Sequence, residues 1–225
     1  MNVLAVFGLC FIPLITVFIC VAILVKGFSV TRGLVSCALG LLAVIPIAAM
    51  QFFVGKSGFF AATTLPVMLV EALVLNGIVE ESIKMGVLFL LPAKKMNQKE
   101  FFICTMLAGL TIASFENVVY LLGGLEHIQL RFLTAVLIHI TCAGLSGLFV
   151  YSVRYGVKTW VPFVMAILFH GVYDYFAMFP VSNAFFYFSF AVIAFSIVEC
   201  RLRYSSIKKR IEDPEAKEVP EKKGE

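Results

Sequence analysis

The sequence contains little charge and no paired cysteines. Only 14% of its 225 residues are charged and 61% are hydrophobic, which leaves too little polar surface for a water-soluble domain. The formal net charge of +4 is small, and no patch of basic residues interleaved with aromatics indicates nucleic-acid binding. The six cysteines all lie in apolar runs without a CxxC pair, which argues against a disulfide framework or a zinc finger.

Apolar runs recur from residue 3 to residue 203. A helix needs about 20 apolar residues to cross the hydrocarbon core. We therefore predict an all-α, polytopic membrane helical bundle of about seven transmembrane helices in one domain, residues 1–203. A disordered, charged tail is expected at residues 204–225. The predicted spans are residues 3–25, 33–55, 64–91, 101–122, 130–153, 160–179 and 184–202.

The third predicted span lies in an apolar run, residues 59–92, that is longer than one crossing requires. We expect this span to be tilted, broken or preceded by an interfacial segment near Pro66.

The positions of the lysines and arginines predict the orientation in the membrane. Of the 18, fifteen lie in the tail and in alternate loops on one side of the predicted bundle. The other side has only Lys56 and Arg131, and Lys84 lies within a span. By the positive-inside rule, the amino terminus is expected outside and the carboxyl terminus in the cytoplasm.

Ionisable and amide side chains nevertheless lie inside four of the predicted spans. A charged side chain near the bilayer centre costs about 2.5 kcal/mol or more, so other groups must offset that cost. These residues are Glu80, Glu81 and Lys84 in the third span, Glu116 and Asn117 in the fourth, His139 in the fifth, and His170 and Asp174 in the sixth.

The spacing of these residues places several of them on common helix faces. Lys84 follows Glu80 by four residues and Glu81 by three, and His170 and Asp174 are four residues apart. With a rise of about 1.5 Å per residue, five of them lie in a slab on the order of 10 Å thick, from the midplane toward the outer leaflet: Glu80, Glu116, His139, His170 and Asp174. Four helices therefore offer acid, base and amide groups at compatible depth, as a shared polar cavity requires.

Purely structural interpretations of these polar residues compete with a shared polar cavity. Lys84 alone could snorkel toward the cytoplasm, but Pro92 is about 12 Å farther along the helix, a long reach for one side chain. Glu80 and Glu81 could both be partners of Lys84, yet one lysine neutralises only one carboxylate. A lone intramembrane histidine often forms an interhelical hydrogen bond.

Four segments, in this order, resemble the motifs of a known family. EESIK is similar to the EExxK motif of the PrsW-type intramembrane proteases, and ASFENVVYLL to their FAxxEN-type segment. RFLTAVLIH resembles their histidine-bearing span, and HGVYD their last motif, HxxxD/N. The resemblance covers about residues 71–176. The chain departs from it in reading ASFEN rather than GFAxxEN, and in ending the last motif with Asp174 where Asn is common.

The resemblance implies an enzyme. PrsW-type proteins are related to the CAAX prenyl-protease and bacteriocin-processing group, in which a glutamate and histidines on buried helices activate water. Residues 1–203 would then form a transmembrane protease domain. The implied substrate is a single-span, membrane-anchored regulatory protein such as an anti-sigma factor, and the implied location is the bacterial cytoplasmic membrane, as a multi-pass protein.

Amide hydrolysis needs a base for water, stabilisation of the oxyanion and an acid for the leaving amine. Our hypothesis makes Glu80 the general base, with Glu81 as the alternate or proton-sharing partner and Lys84 as the charge that keeps one of them ionised. The remaining roles are proton transfer and water positioning by His139 and His170, amide donation by Asn117, and orientation of the histidines by Glu116 and Asp174.

Other chemistries remain open. No serine or cysteine has a convincing base partner, so covalent catalysis is not expected. Two carboxylates and two histidines could hold zinc. However, HExxH is absent and Lys84 would compete with a divalent ion, so we favour a metal-independent mechanism.

Two functions of other classes would use the same buried polar groups. A proton-coupled transporter also needs intramembrane acids and histidines, although the two related halves typical of transporters are not visible. A noncatalytic scaffold could bind membrane helices through the same cavity. Cleavage that depends on Glu80 separates the enzyme from both.

Overall fold

The computed structural model describes residues 3–58, 60, 64–122 and 128–213. Within those ranges the chain is helical with short connections and has no strands, which confirms the predicted all-α class. Eight α-helices lie within these ranges: α1 Val3–Leu24, α2 Val30–Ser57, α3 Leu65–Glu71, α4 Glu81–Leu88, α5 Gln98–Leu122, α6 Ile128–Arg154, α7 Val161–Ala177 and α8 Phe188–Glu212. Short 3₁₀ turns at Ala93–Lys95 and Ala184–Tyr187 precede α5 and α8.

Among the described residues, five helical stretches are long and apolar enough to cross a membrane: Leu4–Leu24, Val30–Ser57, Gln98–Leu122, Leu133–Arg154 and Ala184–Glu212. Helix α7 is apolar but has only 17 residues. The chain is therefore a multi-pass membrane protein, while seven crossings and the predicted orientation of the termini remain predictions.

A π-helix joins α3 to α4, so that the third predicted span is one helical rod of three segments. The π segment covers Ala72–Glu80, and α4 begins directly at Glu81. A π turn contains more residues than an α turn and is found most often next to functional sites. Here it ends at the pair Glu80 and Glu81, and both side chains face the protein interior.

Helices α5 and α6 occupy the centre of the bundle, whereas α1, α2 and α8 leave most of their surface exposed. Helix α5 packs against α6, α2 and α1, and α6 also packs against α7 and α8. The exposed side chains of the outer helices are mainly large and apolar, such as Leu4, Ile23, Ile45 and Phe195. An apolar outer surface is what a lipid environment requires.

Polar contacts bring the basic loops together at one end of the bundle, which we call the lysine-rich end. Arg32 at the start of α2 forms a 2.7 Å ion pair with Glu100 at the start of α5. The Tyr151 hydroxyl donates to the Met96 carbonyl over 3.3 Å, and the Gln98 amide donates to the Tyr204 carbonyl over 2.8 Å. The predicted grouping of the basic loops at one end is thus present in the structure.

The prediction that a disordered tail begins at residue 204 is wrong for its first part. Helix α8 continues to Glu212, because Ile207 is buried and provides an apolar contact. Arg203 also pairs with Glu199 over 2.5 Å and Lys208 with Glu212 over 3.8 Å, both at i,i+4 spacing. Residues 214–225 of the predicted tail lie outside the described residues.

The rod and α7 approach closely at two glycines. A Cβ at residue 77 would lie 2.7 Å from the Ile167 carbonyl oxygen, and one at residue 171 would lie 2.8 Å from the Leu73 Cα. Small residues permit such close backbone approach between membrane helices. Gly171 follows His170 directly, so this contact holds the histidine against the rod.

Gly77→Ala should therefore destabilise the protein, because the added methyl group meets backbone that cannot move away easily. Overpacking of this kind costs about 1–3 kcal/mol, and Tm falls by roughly 2–4 °C per kcal/mol for a chain of this size. Thermal unfolding in detergent measures the change.

The matched control is Gly86→Ala on α4, where a Cβ would meet no atom within 4 Å. This variant should be as stable as the wild type or slightly more so, since alanine favours helix over glycine. Equal Tm values for the two variants would contradict the close approach at Gly77.

Candidate functional site

The ammonium of Lys84 lies at the centre of the polar cluster. Its Nζ donates to Glu81 Oε1 over 2.8 Å, lies 3.0 Å from His139 Nδ1, and forms an ion pair of 2.9 Å with Glu80 Oε1. The side chain is only 2% exposed. Lys84 therefore does not snorkel to the surface. It connects α4 to α6 through charge and hydrogen bonding.

Glu81 is fully enclosed by donors. Its Oε1 accepts from Lys84 and lies 2.8 Å from His170 Nδ1, while its Oε2 accepts from the Ser146 hydroxyl over 2.9 Å. The residue has no exposed surface. Both carboxylate oxygens are thus held by partners on α4, α6 and α7, which fixes the position of this side chain.

Glu80 is held far more loosely than its neighbour. Its Oε1 is paired in charge with Lys84 but accepts no hydrogen bond of good geometry from any described residue. Its Oε2 has only a long contact, 3.5 Å, with the amide of Gln51 on α2. Glu80 also lines a cavity next to the cluster. Of the two adjacent carboxylates, Glu80 is the one that can interact with a molecule in that cavity.

The two histidines face each other across the cluster, with ring centroids 4.8 Å apart. His139 directs Nδ1 toward Lys84, so its Nε2 carries the proton and donates to Glu116 in a short hydrogen bond. His170 directs Nδ1 toward Glu81 and Nε2 toward Asp174, whose Oδ2 lies 3.3 Å away. Each imidazole is thus oriented by carboxylates, as a proton-transfer group requires.

Helix α5 places the remaining two predicted residues side by side. Glu116 contacts His139 and lines the cavity, with a quarter of its side chain exposed. Asn117, the next residue, is completely buried. The structure therefore brings seven of the eight predicted residues into one connected cluster and buries Asn117 beside it on α5.

The cavity next to Glu80 lies between α2, the π segment and α5 and has a volume of about 290 Å³. This space is enough for several water molecules, since each occupies about 30 Å³ in the liquid. The wall contains apolar side chains and five polar residues: Gln51, Asn76, Glu80, Glu116 and Tyr120. The cavity lies in the half of the bundle away from the lysine-rich end, because Gln51 and Tyr120 are near the far ends of their helices.

Sequence reasoning missed Ser146 and Gln51. Ser146 stands in a run of small residues in α6, and a serine there is indistinguishable from ordinary helix packing without the position of Glu81. Gln51 had a usable signal, because it is an amide within the apolar run of α2. Its amide nitrogen lies 3.4 Å from the Asn76 side-chain oxygen as well as close to Glu80.

Glu80, His139 and His170 also fit a metal ion in kind and in spacing. One ligand atom from each lies within 4.8 Å of the other two. A glutamate with two histidines is a donor set of catalytic zinc, and Glu80 Oε1 is a buried oxygen without a well-directed hydrogen bond. Lys84 is the opposing feature, since its ammonium lies within 3.0 Å of two of the three ligand side chains.

Comparison with known proteins identifies the family. A family model described as PrsW family intramembrane metalloprotease matches residues 30–198, about three quarters of the chain. All eight predicted site residues lie inside the matched range. No curated protein and no solved structure matches the chain significantly. The chain belongs to the PrsW family of intramembrane metalloproteases and is a multi-pass membrane peptidase.

Proposed function

We propose that this protein is a glutamic-type intramembrane endopeptidase in which Glu80 activates water in the 290 Å³ cavity. Its substrates would be single-span, membrane-anchored regulatory proteins of the anti-sigma-factor kind in the bacterial cytoplasmic membrane. The observation that carries the proposal is the difference between two adjacent carboxylates. Glu80 lines the cavity and its Oε2 has only a long contact with Gln51, whereas Glu81 is sealed by three donors.

Glu80 is suited to be the general base because a base must reach the water whose proton it removes. A carboxylate whose lone pairs are already engaged cannot do this, which assigns Glu81 a positioning role. Glu81 holds His170 and Lys84 at fixed places on one side of Glu80. Lys84 in turn holds the Glu80 carboxylate from 2.9 Å, through an attraction that low polarity in the interior strengthens.

The histidines would manage the proton and the developing charge. His170 Nε2 lies 3.9 Å from Glu80 Oε1 and His139 Nδ1 lies 3.5 Å from it, so both rings border the place where water would be activated. A proton taken by Glu80 can reach the leaving amine through His170, while His139, whose Nδ1 accepts from Lys84, helps to position the water. Glu116 and Asp174 orient the rings, and Asn117 is assigned as a neutral amide donor.

The family description makes a bound divalent ion the second mechanism to consider. Glu80, His139 and His170 would hold it, and when bound it would lower the pKa of its water and polarise the scissile carbonyl. We favour the metal-independent route because Lys84 already interacts with two of these three side chains. An ion bound to them would have a cation as its nearest neighbour.

Glu80→Gln should abolish cleavage while leaving the fold intact. Loss of a general base typically lowers the rate by about 10²–10⁴-fold. The measurement uses purified protein in liposomes and a single-span protein captured from membranes by the Glu80→Gln variant. Retained cleavage would remove Glu80 from the mechanism. Absence of cleavage by the wild type, with binding retained, would favour a scaffold.

Glu81→Gln is the matched comparison at the adjacent position and should mainly reduce stability. It leaves Lys84 with one fewer anion, and breaking a buried charge pair costs about 3–5 kcal/mol. Both variants lose an anion beside Lys84, but Glu81→Gln also weakens the contacts with His170 and Ser146. The expected contrast is loss of cleavage with a small decrease in Tm for Glu80→Gln and a larger decrease in Tm for Glu81→Gln. A lowered Tm for Glu80→Gln alone would reverse the two assignments.

Metal analysis distinguishes the two mechanisms. The metal-independent route predicts substoichiometric zinc in active protein and cleavage that continues after treatment with a chelator. Elemental analysis and activity are measured on the same preparation. The opposite result is one zinc per chain that is lost together with activity on chelation, with both restored by added zinc. Glu80 would then be a metal ligand and not the general base.

The position of the cavity predicts where substrates are cut. Because the cavity lies away from the lysine-rich end, the scissile bond should lie in the outer leaflet or in the outer juxtamembrane segment of the substrate. Mass spectrometry of the product termini locates it. Products cut on the cytoplasmic side would contradict the predicted orientation.

A further inference from the structure

A second cavity, of about 280 Å³, lies at the lysine-rich end of the bundle. It is formed by the turn that follows α4 and by the last residue of α6. Its wall consists of residues 89–95 and Arg154, so it contains three cations and no carboxylate. We call it the basic cavity. It is separate from the catalytic cluster, with which it shares no lining residue.

The three cations of the basic cavity are not neutralised within the part of the chain that the structure describes. Lys94, Lys95 and Arg154 form no ion pair with a carboxylate there, whereas Arg32 at the same end pairs with Glu100 and Lys208 with Glu212. The cavity thus concentrates three positive charges that no described carboxylate neutralises. A concave surface with charge of one sign favours a ligand of the opposite sign.

Arg154 is held in place for such a ligand. Its Nη2 donates to the Phe89 carbonyl over 2.9 Å, and its guanidinium carbon lies 5.5 Å from the centre of the Phe89 ring. A guanidinium has five N–H donors in a fixed plane, so most of them remain for another acceptor. That geometry matches phosphate, whose oxygens can accept two parallel hydrogen bonds.

Exposed apolar side chains adjoin the basic cavity. Leu90 in its wall is 64% exposed, Val153 beside Arg154 is 46% exposed, and Trp160 at the start of α7 is 64% exposed. Tryptophan is enriched where membrane spans meet the lipid headgroups. A ligand here would therefore meet cations on its polar part and hydrocarbon-facing side chains on its apolar part.

We propose that the basic cavity binds the headgroup of an anionic phospholipid, with the phosphate on Lys94, Lys95 and Arg154 and the acyl chains along Leu90 and Val153. Basic pockets between membrane helices on the cytoplasmic side bind anionic headgroups in this way. The bound lipid joins the end of α4, which carries Lys84, to the end of α6, which carries His139, and so stabilises the bundle.

The test uses full-length protein, purified in a neutral detergent and freed of lipid. Phosphatidylglycerol and phosphatidylcholine are titrated separately, and binding is followed by native mass spectrometry and by the rise in Tm. The wild type should bind phosphatidylglycerol preferentially. Lys94→Ser with Lys95→Ser should weaken that binding by roughly fivefold for each lysine removed. Lys94→Arg with Lys95→Arg should restore it.

The matched control is Lys26→Ser with Lys158→Ser, which removes the same charge from exposed positions at the same end but outside the basic cavity. This control should bind phosphatidylglycerol like the wild type. An equal loss in both double variants would show a diffuse attraction to anionic lipid and overturn the site. Equal affinity for both lipids, or inorganic phosphate that binds as well as phosphatidylglycerol, would overturn the lipid assignment.

Discussion

Burial of the Lys84 ammonium is the constraint on which the rest of the structure depends. A charge in this interior is tolerated only if opposite charges and hydrogen-bond acceptors surround it. Glu80 and Glu81 come from the same rod, but the third contact, His139, must come from α6. Glu81 then requires donors of its own and takes them from α6 and α7. One buried cation thereby fixes the relative positions of three helical rods.

The same constraint explains why two adjacent residues have different roles. In an α-helix neighbouring side chains point about 100° apart, so two successive buried glutamates contact different neighbours. The π segment ends at Glu80 and α4 begins at Glu81, and both side chains are buried. They nevertheless lie on different sides of Lys84. Glu81 faces α6 and α7 and is sealed, whereas Glu80 faces the gap beside α2 and contacts the cavity.

Local spacing in the sequence predicted the contacts that lie within one helix. The pairs of Glu80 and Glu81 with Lys84, and of His170 with Asp174, follow from i,i+3 and i,i+4 geometry and are present. The positions of the long helices were also predictable, since a long run of apolar residues marks each of them. The π segment was not, because its hydrogen bonds depend on packing against α7. The contacts of Ser146 and Gln51 depend on which faces of α6 and α2 pack against the rod. A single sequence does not show these faces.

The metal-independent and the metal-dependent mechanism must both offset the negative formal charge of the site. Four carboxylates, Glu80, Glu81, Glu116 and Asp174, accompany one ammonium, which leaves three negative charges if both histidines are neutral. Such an excess is costly in a poorly solvated interior. A proton on His170 supplies one positive charge, which Glu81 and Asp174 face from either side of the ring, whereas a divalent ion would supply two. The proton on His170 leaves Lys84 undisturbed between Glu80 and His139, whereas an ion must share those two side chains with the ammonium, so the geometry of Lys84 favours His170 as the site's second cation.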